Sequence, residues 1–164
     1  RVPRAVTSPT GKPQPSQFSA TLTFAEYLVE GPSAGRAQLK DGVFEEPAAP
    51  GSAAIIRVEL GTARAFGDLN GDLVTDAAVI LIVSSGGSGS FTHLAAVINE
   101  NDRPRPSPAI LLGDRIIVKS VAIKPGTVTV TLLTRKPDEP MSAAPTVEVT
   151  RVFTWQGGAL VPLK

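Results

Sequence analysis

The sequence predicts an all-β domain, either an antiparallel sandwich or a barrel-like sheet of about ten short strands. Apolar and polar residues alternate with a period of two through most of the chain, as in strands with one buried face. Turn residues recur about every 8–12 residues. Pro or Gly interrupts nearly every window that could carry the 3.6-residue periodicity of a helix. Short strands joined by turns are therefore expected throughout.

The chain opens with a proline-rich segment, residues 1–17. Proline fixes φ and lacks an N–H donor, so this segment is expected to form neither a helix nor a central strand. We predict an arm or linker at residues 1–17 and a single β domain at residues 18–164. The arm has two interpretations, a tether to an anchor or another module and an arm that docks on a neighbouring molecule.

The strands follow in order from Phe18. Lys40-Asp41-Gly42 is a hairpin-turn signal, because Asp-Gly favours the positive φ angles of a tight turn. The continuous apolar run at 77–83 predicts a strand buried on both faces, with 91–99 as its hairpin partner. Polar, proline-containing residues 99–108 and 137–145 are predicted as loops. The predicted strands are 21–24, 36–39, 43–46, 55–60, 63–66, 77–83, 91–99, 110–112, 116–123, 128–133, 147–155 and 160–163.

Composition narrows the classes of function. Sixteen basic and 15 acidic residues leave a formal net charge of +1, so no strong field exists to recruit nucleic acid. Cysteine is absent, which excludes disulfides and thiolate metal sites. The longest apolar run is too short to span a bilayer, and no transmembrane segment is predicted. The chain begins at Arg1 rather than Met, and we expect a processed or trimmed export product. We expect an extracytoplasmic protein, secreted or at the cell surface, with a lipid or linker anchor upstream as one option.

A candidate metal site lies in the run FGDLNGDLVTD at residues 66–76. Asp68, Asn70, Asp72 and Asp76 stand at loop positions one, three, five and nine, a spacing that wraps oxygen ligands around a hard cation. Val74 stands at position seven, where a main-chain carbonyl usually binds the ion. These five residues predict a structural site with Ca²⁺ as its cofactor.

Two positions depart from the usual pattern of such loops. Leu73 occupies position six, commonly Gly, and Val79 occupies position twelve, where a helix–loop–helix calcium site carries a bidentate Glu. Without that Glu, a weak dissociation constant of about 10⁻⁴–10⁻³ M is expected, as in extracellular modules. The alternative interpretation is a turn without a metal, since Asp, Asn and Gly favour turns and Asn70-Gly71 alone could close a hairpin.

The loop, Asp-Leu-Asn-Gly-Asp followed by Asp76, resembles the calcium loops of integrin-type FG-GAP repeats and of dockerins. The resemblance implies side-chain ligands at Asp68, Asn70, Asp72 and Asp76 and a carbonyl ligand at Val74. Over roughly residues 22–163 the chain also resembles an uncharacterised family of exported, often lipoprotein-like bacterial β-domains. That family implies an extracytoplasmic location and no established activity. The stretches that carry this second resemblance are LKDGVF at 39–44, FGDLNGD at 66–72, GGSG at 86–89 with LAAV at 94–97, LGD at 112–114 and PDEPM at 137–141.

Enzyme signatures are incomplete. The Gly/Ser run at 84–90 lacks the Lys of a phosphate-binding loop, and around Ser88 it lacks the final Gly of a nucleophile elbow. His93 is the single histidine. On a strand, it is more often a surface or hydrogen-bonded residue than a catalyst. Acidic residues outside the loop do not converge in sequence. We therefore expect no catalytic residues and a non-catalytic structural or interaction module.

Two alternative functions remain open. The first is a self-assembling surface filament, in which the N-terminal segment up to Phe24 is donated as a strand to the sheet edge of a second copy. The partner would then be the protein itself. The second is a hydrolase acting on cell wall or polysaccharide, which a deep pocket with two facing carboxylates would indicate.

Overall fold

The computed structural model describes residues 15–163. This part of the chain forms twelve strands and one helix, and the strands make three antiparallel sheets. Within it no sheet closes on itself, so the predicted all-β fold is confirmed and is a sandwich rather than a barrel. The elements are α1 (Pro15–Leu22), β1 (Glu26–Leu28), β2 (Arg36–Gln38), β3 (Val43–Pro47), β4 (Ile55–Gly67), β5 (Asp76–Ser84), β6 (Phe91–Glu100), β7 (Arg103–Pro106), β8 (Ile110–Asp114), β9 (Ile117–Lys124), β10 (Thr127–Thr134), β11 (Val147–Gln156) and β12 (Ala159–Pro162).

A six-stranded sheet forms the middle layer, in the order β3-β4-β5-β6-β7. The sixth strand, β8, pairs with the first half of β6, on the same edge where β7 pairs with its second half. Side chains of β5 alternate between its two faces. Ala77, Val79 and Leu81 enter one core, and Ala78 and Ile80 enter another. The prediction of a strand buried on both faces is confirmed, as is its hairpin partner β6.

The first core lies between the six-stranded sheet and a cover made of α1 and the β1–β2 pair. Phe18 and Leu22 of α1 are fully buried in it. Tyr27 of β1 is buried beside them, and its hydroxyl donates to the Leu22 carbonyl at 2.9 Å. The helix is therefore an integral part of the core. At eight residues α1 is short, and no helix within residues 15–163 has the length and apolarity to cross a bilayer.

The predicted strand at 21–24 is wrong, and so is the expectation that no helix would form before residue 18. Pro15 stands at the first helical position, where its missing N–H has no intrahelical acceptor to lose. Phe18 and Leu22 are four residues apart and so share one helix face. Residues 1–14 lie outside the described residues, so the division into an arm and a domain stays a prediction.

The second core lies between the six-stranded sheet and a four-stranded sheet in the order β12-β11-β10-β9. Val128, Val130 and Leu132 of β10 fill its centre and are fully buried. The two sheets are in close contact at the end of β4, where a Cβ on Gly67 would lie 2.6 Å from Cγ2 of Ile123. Glycine at position 67 therefore lets β4 pack against β9, immediately before the acidic loop.

The Asp-Gly turn forms as predicted, but it does not join a hairpin of the two flanking strands. Asp41 and Gly42 have φ angles of 51° and 82°, and Lys40 and Val43 exchange both backbone hydrogen bonds. β2 nevertheless pairs with β1, whereas β3 pairs with β4. The turn thus carries the chain from the small sheet into the six-stranded one.

Two other predictions need correction. The strands predicted at 55–60 and 63–66 are one continuous strand, β4, with a register shift between Leu60 and Arg64. The loop predicted at 99–108 contains β7, which pairs with β6. Two of its four residues are proline, which an edge strand tolerates because one side of it has no partner. The remaining predicted strands, from residue 110 onward, correspond to β8–β12, and residues 137–145 form no strand.

Candidate metal site

The acidic loop connects β4 to β5, as the sequence predicted. It begins directly after Gly67, and its last acidic residue, Asp76, is the first residue of β5. Leu69 is buried in the second core and anchors the loop between the two large sheets. The Gly126 N–H, in the turn between β9 and β10, donates to the Asp68 carbonyl at 3.2 Å. The loop therefore contacts both layers of the sandwich.

The three aspartates of the loop converge. Asp68, Asp72 and Asp76 each offer one carboxylate oxygen, and these oxygens lie within 4.8 Å of one another. Oxygens that share one Ca²⁺ at about 2.3–2.6 Å are at most about 5 Å apart, so this group could hold a metal ion. Asp76 is buried, Asp68 is half-buried and Asp72 is exposed. An ion can therefore approach the three carboxylates from solvent on the side of Asp72.

Backbone N–H groups of the loop orient two of these carboxylates. The two oxygens of Asp68 accept from Gly71 at 2.8 Å and from Leu73 at 2.9 Å. Asp72 accepts from Val74 at 2.8 Å. Such side-chain-to-backbone bonds wind a short loop around its own aspartates. These bonds account for the loop conformation. The N–H donors carry no net positive charge, so the negative charges of the carboxylates are not neutralised.

Asp76 is the buried anchor of the group. Its Oδ2 accepts from the Leu69 N–H at 2.8 Å and its Oδ1 from the Asn99 N–H at 2.9 Å. Burial raises the pKa of Asp76, these two hydrogen bonds lower it, and the charges of Asp72 and Asp68 raise it further, with a net rise above 3.8. Within residues 15–163 none of the three aspartates forms a salt bridge. A bound cation would supply the missing positive charge.

The two other predicted ligands lie in the same loop. The Asn70 amide contacts Asp72 twice, accepting from its N–H and donating to its carboxylate, both at 3.2 Å. The Val74 N–H also binds Asp72. No hydrogen bond to the Val74 carbonyl occurs in the described part of the chain, so no donor there competes for this oxygen. Coordination by Asn70 and Val74 stays a prediction.

The two departures from the usual loop pattern have different consequences. Val79, at position twelve, lies in β5 with its side chain buried in the first core, so the ligand set ends at Asp76. Leu73, at position six, has φ of 66°. The backbone therefore makes the left-handed turn that Gly favours, with a leucine at that position.

Replacing Leu73 by Gly should stabilise the protein. The left-handed conformation costs a non-glycine residue about 1–2 kcal/mol. The greater conformational entropy of glycine in the unfolded chain offsets about 0.4–1 kcal/mol of the stabilisation gained by removing this cost. The Leu73 side chain is 78% exposed and loses little packing. We expect a gain of about 0.5 kcal/mol in urea unfolding. Leu73→Ala is the matched control and should show no gain, and an equal gain in both variants would contradict the argument.

Asn99 belongs to the site but was missed from the sequence. Its N–H binds Asp76, and its Oδ1 accepts from the Asp102 N–H at 2.8 Å. Its Nδ2 is buried and has no partner among the described residues. The residue lies 23 positions from Asp76. Its place near the end of a predicted strand was the only sequence signal, and that signal does not identify the contact.

The residues considered for catalysis lie apart from this loop. His93 is on β6, 3% exposed, with Nδ1 3.3 Å from the Phe91 carbonyl oxygen. Of the two non-catalytic interpretations, a surface residue and a hydrogen-bonded residue, His93 fits the second. The cavity it lines contains one carboxylate, Glu30, and a cavity of about 390 Å³ beside Trp155 also contains one, Glu100. The hydrolase alternative stays a prediction.

Comparison of the chain with protein-family models, with curated proteins and with solved structures found no match. The resemblances to calcium loops and to exported bacterial β-domains therefore stay predictions. What can be concluded about function depends on the geometry of the loop and its surroundings.

Proposed function

We propose that the protein is a non-catalytic extracytoplasmic module, structural or interaction-mediating, whose sandwich is stabilised by one Ca²⁺ bound in the loop at 68–76. The observation that carries the proposal is the convergence of three carboxylates within 4.8 Å with no salt-bridge partner among the described residues. Like charges at such short distances repel one another. A divalent cation converts this repulsion into attraction.

The donor set favours Ca²⁺ over other metals. Asp68, Asp72 and Asp76 supply carboxylate oxygens, and the neighbouring candidates Asn70 and Val74 supply neutral oxygens. Hard cations prefer such ligands, whereas zinc and copper sites draw on imidazole and thiolate. Mg²⁺ demands a near-ideal octahedron and usually binds through one or two carboxylates with several waters. A loop that offers three carboxylates and neighbouring neutral oxygens suits the six to eight ligands of Ca²⁺.

The ion would fasten several parts of the fold to one another. The loop already reaches the second core through Leu69, β6 through the bond from Asn99 to Asp76, and the β9–β10 turn through Gly126. Without a cation, ordering the loop costs about 1–2 kcal/mol of backbone entropy per residue. Bound Ca²⁺ offsets part of that cost and holds the connection between β4 and β5 against both sheets.

The expected affinity supports the proposed location. Val79 cannot serve as a twelfth-position ligand because a valine side chain has no oxygen, and here it packs in the first core. A site without that bidentate ligand falls in the range of about 10⁻⁴–10⁻³ M, which is typical of extracellular modules. Such a site fills where Ca²⁺ is millimolar. The resemblance to exported bacterial β-domains favours the same location.

Calcium binding should weaken at acidic pH, and the weakening should begin at a pH above the ordinary pKa of an aspartate. The pKa of Asp76 is raised above 3.8, so the folded, metal-free protein retains this proton to a higher pH than the unfolded chain does. The contribution of Asp76 to the free energy of unfolding therefore falls as the pH rises from 3.8 to the raised pKa. Ca²⁺ must displace the proton, so the calcium-dependent stabilisation should grow over the same interval.

The measurement is calorimetric titration of Ca²⁺ into chelator-stripped protein from about pH 4 to pH 7. We expect one site, with proton release on binding that diminishes as pH rises above the Asp76 pKa. Asp138→Asn, an exposed carboxylate outside the loop, is the control and should leave the profile unchanged. Binding that is absent at pH 7, or equally strong throughout, would contradict the proposal.

The filament alternative now depends on residues 1–14. Phe18 and Leu22, which it would place in or next to a donated strand, are buried in the first core as parts of α1. A donated strand would therefore have to come from the segment outside the described residues. Association of the protein with further copies of itself stays a prediction.

A further inference from the structure

A second candidate site lies at the opposite end of β5 from the acidic loop. A cavity of about 250 Å³ opens where β5 and β6 are joined, between the segment after β1 and the strand β8. Val83, one of its lining residues, is seven residues along β5 from Asp76, or roughly 23 Å at about 3.3 Å per residue. The cavity is therefore independent of the proposed calcium site.

The walls of the cavity are largely apolar. Its lining includes Val83, which is buried, and two large apolar side chains that are not, Phe91 and Leu111. Phe91 is 38% exposed and Leu111 is 50% exposed, so two large apolar side chains remain accessible at one opening. The volume equals about eight water molecules at roughly 30 Å³ each. An apolar ligand with a single ring or a short branched chain would fit this space.

His93, a largely buried side chain, supplies a polar group to the lining of this apolar cavity. Its Nδ1 lies 3.3 Å from the Phe91 carbonyl oxygen, which can only accept a hydrogen bond, so this contact favours the tautomer with the proton on Nδ1. In the neutral ring Nε2 is then an acceptor. No hydrogen bond to Nε2 occurs within residues 15–163, and Nε2 is not among the buried unpartnered atoms there, so it is accessible to a ligand or to water. Burial lowers the pKa of His93, outweighing the opposing effects of the Phe91 carbonyl and of Glu30, and this keeps the ring neutral.

Glu30 supplies the second polar group. It lines the same cavity, its side chain is exposed, and it forms no salt bridge in the described part of the chain. Nε2 of that neutral ring and the carboxylate oxygens of Glu30 are all hydrogen-bond acceptors. The complementary ligand group is consequently a donor with positive charge, and an ammonium group offers three N–H donors.

We propose that this cavity binds a small amine with an aromatic or branched aliphatic body, whose ammonium group donates to Nε2 of His93 and to the carboxylate of Glu30. The apolar body packs against Val83 and Leu111. The ring of Phe91 adds an attraction of its own, because a cation is stabilised over an aromatic face. A mostly apolar concave site with a few convergent polar groups is the usual form of a small-molecule site.

The test is an NMR titration of the full chain with benzylamine, in the presence of chelator so that the result does not depend on calcium. Benzyl alcohol and benzoate serve as neutral and anionic ligands of similar shape. We expect saturable amide shifts around Val83, Phe91 and His93 with a dissociation constant in the low millimolar range, as for a fragment of this size. Benzyl alcohol should bind at least about threefold more weakly, and benzoate more weakly still.

Glu30→Gln is the diagnostic variant, because an exposed side chain can be changed without disturbing the core. It should weaken benzylamine binding about threefold to fivefold, the upper part of the range for an exposed ion pair, and leave benzyl alcohol unaffected. Glu148→Gln, an exposed carboxylate on β11, is the control and should bind as the wild type does. The proposal is overturned if no saturable shift occurs at the cavity up to about 20 mM, if benzoate binds as tightly as benzylamine, or if Glu30→Gln has no effect.

Discussion

Adding Ca²⁺ to chelator-stripped protein is expected to raise its melting temperature by about 3–10 °C. With a dissociation constant of about 10⁻⁴–10⁻³ M, about 10 mM Ca²⁺ stabilises the folded state by roughly 1.4–2.7 kcal/mol through mass action. A domain of this size shifts by about 2–4 °C per kcal/mol. Thermal unfolding followed by circular dichroism, with excess chelator and then with Ca²⁺, measures the effect directly.

Asp72→Asn should remove most of this gain. Asp72 is exposed, and an asparagine retains the oxygen that accepts from the Val74 N–H, so the metal-free protein should melt close to the wild type. Asp138→Asn changes an exposed aspartate outside the loop and should keep the full gain. Equal melting temperatures with chelator and with Ca²⁺, in wild-type protein shown to be metal-free, would favour the turn-only interpretation.

Asp76→Ala should destabilise the protein by about 2–5 kcal/mol even without calcium. The substitution leaves the N–H groups of Leu69 and Asn99 without an acceptor in a buried place. Each unsatisfied buried donor costs about 1–3 kcal/mol. Urea unfolding in excess chelator gives the change in free energy, and the calcium response should be lost as well.

Asp76→Asn is the matched comparison, since asparagine keeps one acceptor oxygen and should cost roughly half as much. The contrast between Asp72 and Asp76 separates two roles. Asp72 should matter mainly when the ion is bound, since without it Asp72 bonds only to Val74 and Asn70 of the exposed loop, whereas Asp76 also holds the loop to β6. If Asp76→Ala were no more destabilising in chelator than Asp72→Ala, the buried anchoring role of Asp76 would be wrong.

Local chemistry made much of this fold predictable. The apolar run at 77–83 indicated a strand covered on both faces, and β5 indeed contributes to both cores. Asp41 and Gly42 marked a turn that forms with positive φ at both residues. The alternating spacing of the acidic loop predicted that its aspartates would gather, and Asp68, Asp72 and Asp76 do. Each of these features is decided within about ten residues.

Features decided by distant partners could not be predicted in this way. The turn at Asp41-Gly42 does not reveal that β2 pairs with β1, or that β3 pairs with β4. The contact between Asn99 and Asp76 spans 23 residues. The helix α1 has a single buried i, i+4 pair, Phe18 and Leu22, and it depends on the first core for stability, because isolated helices of this length are marginal in water.

The most direct test of the central claim is a crystal structure of the protein grown with Ca²⁺. We expect one ion in the loop, bound by carboxylate oxygens of Asp68, Asp72 and Asp76 at about 2.3–2.6 Å, with Asn70 and the Val74 carbonyl among the remaining ligands. Water at that position, or an empty centre at millimolar Ca²⁺, would contradict the claim that the loop is a calcium site.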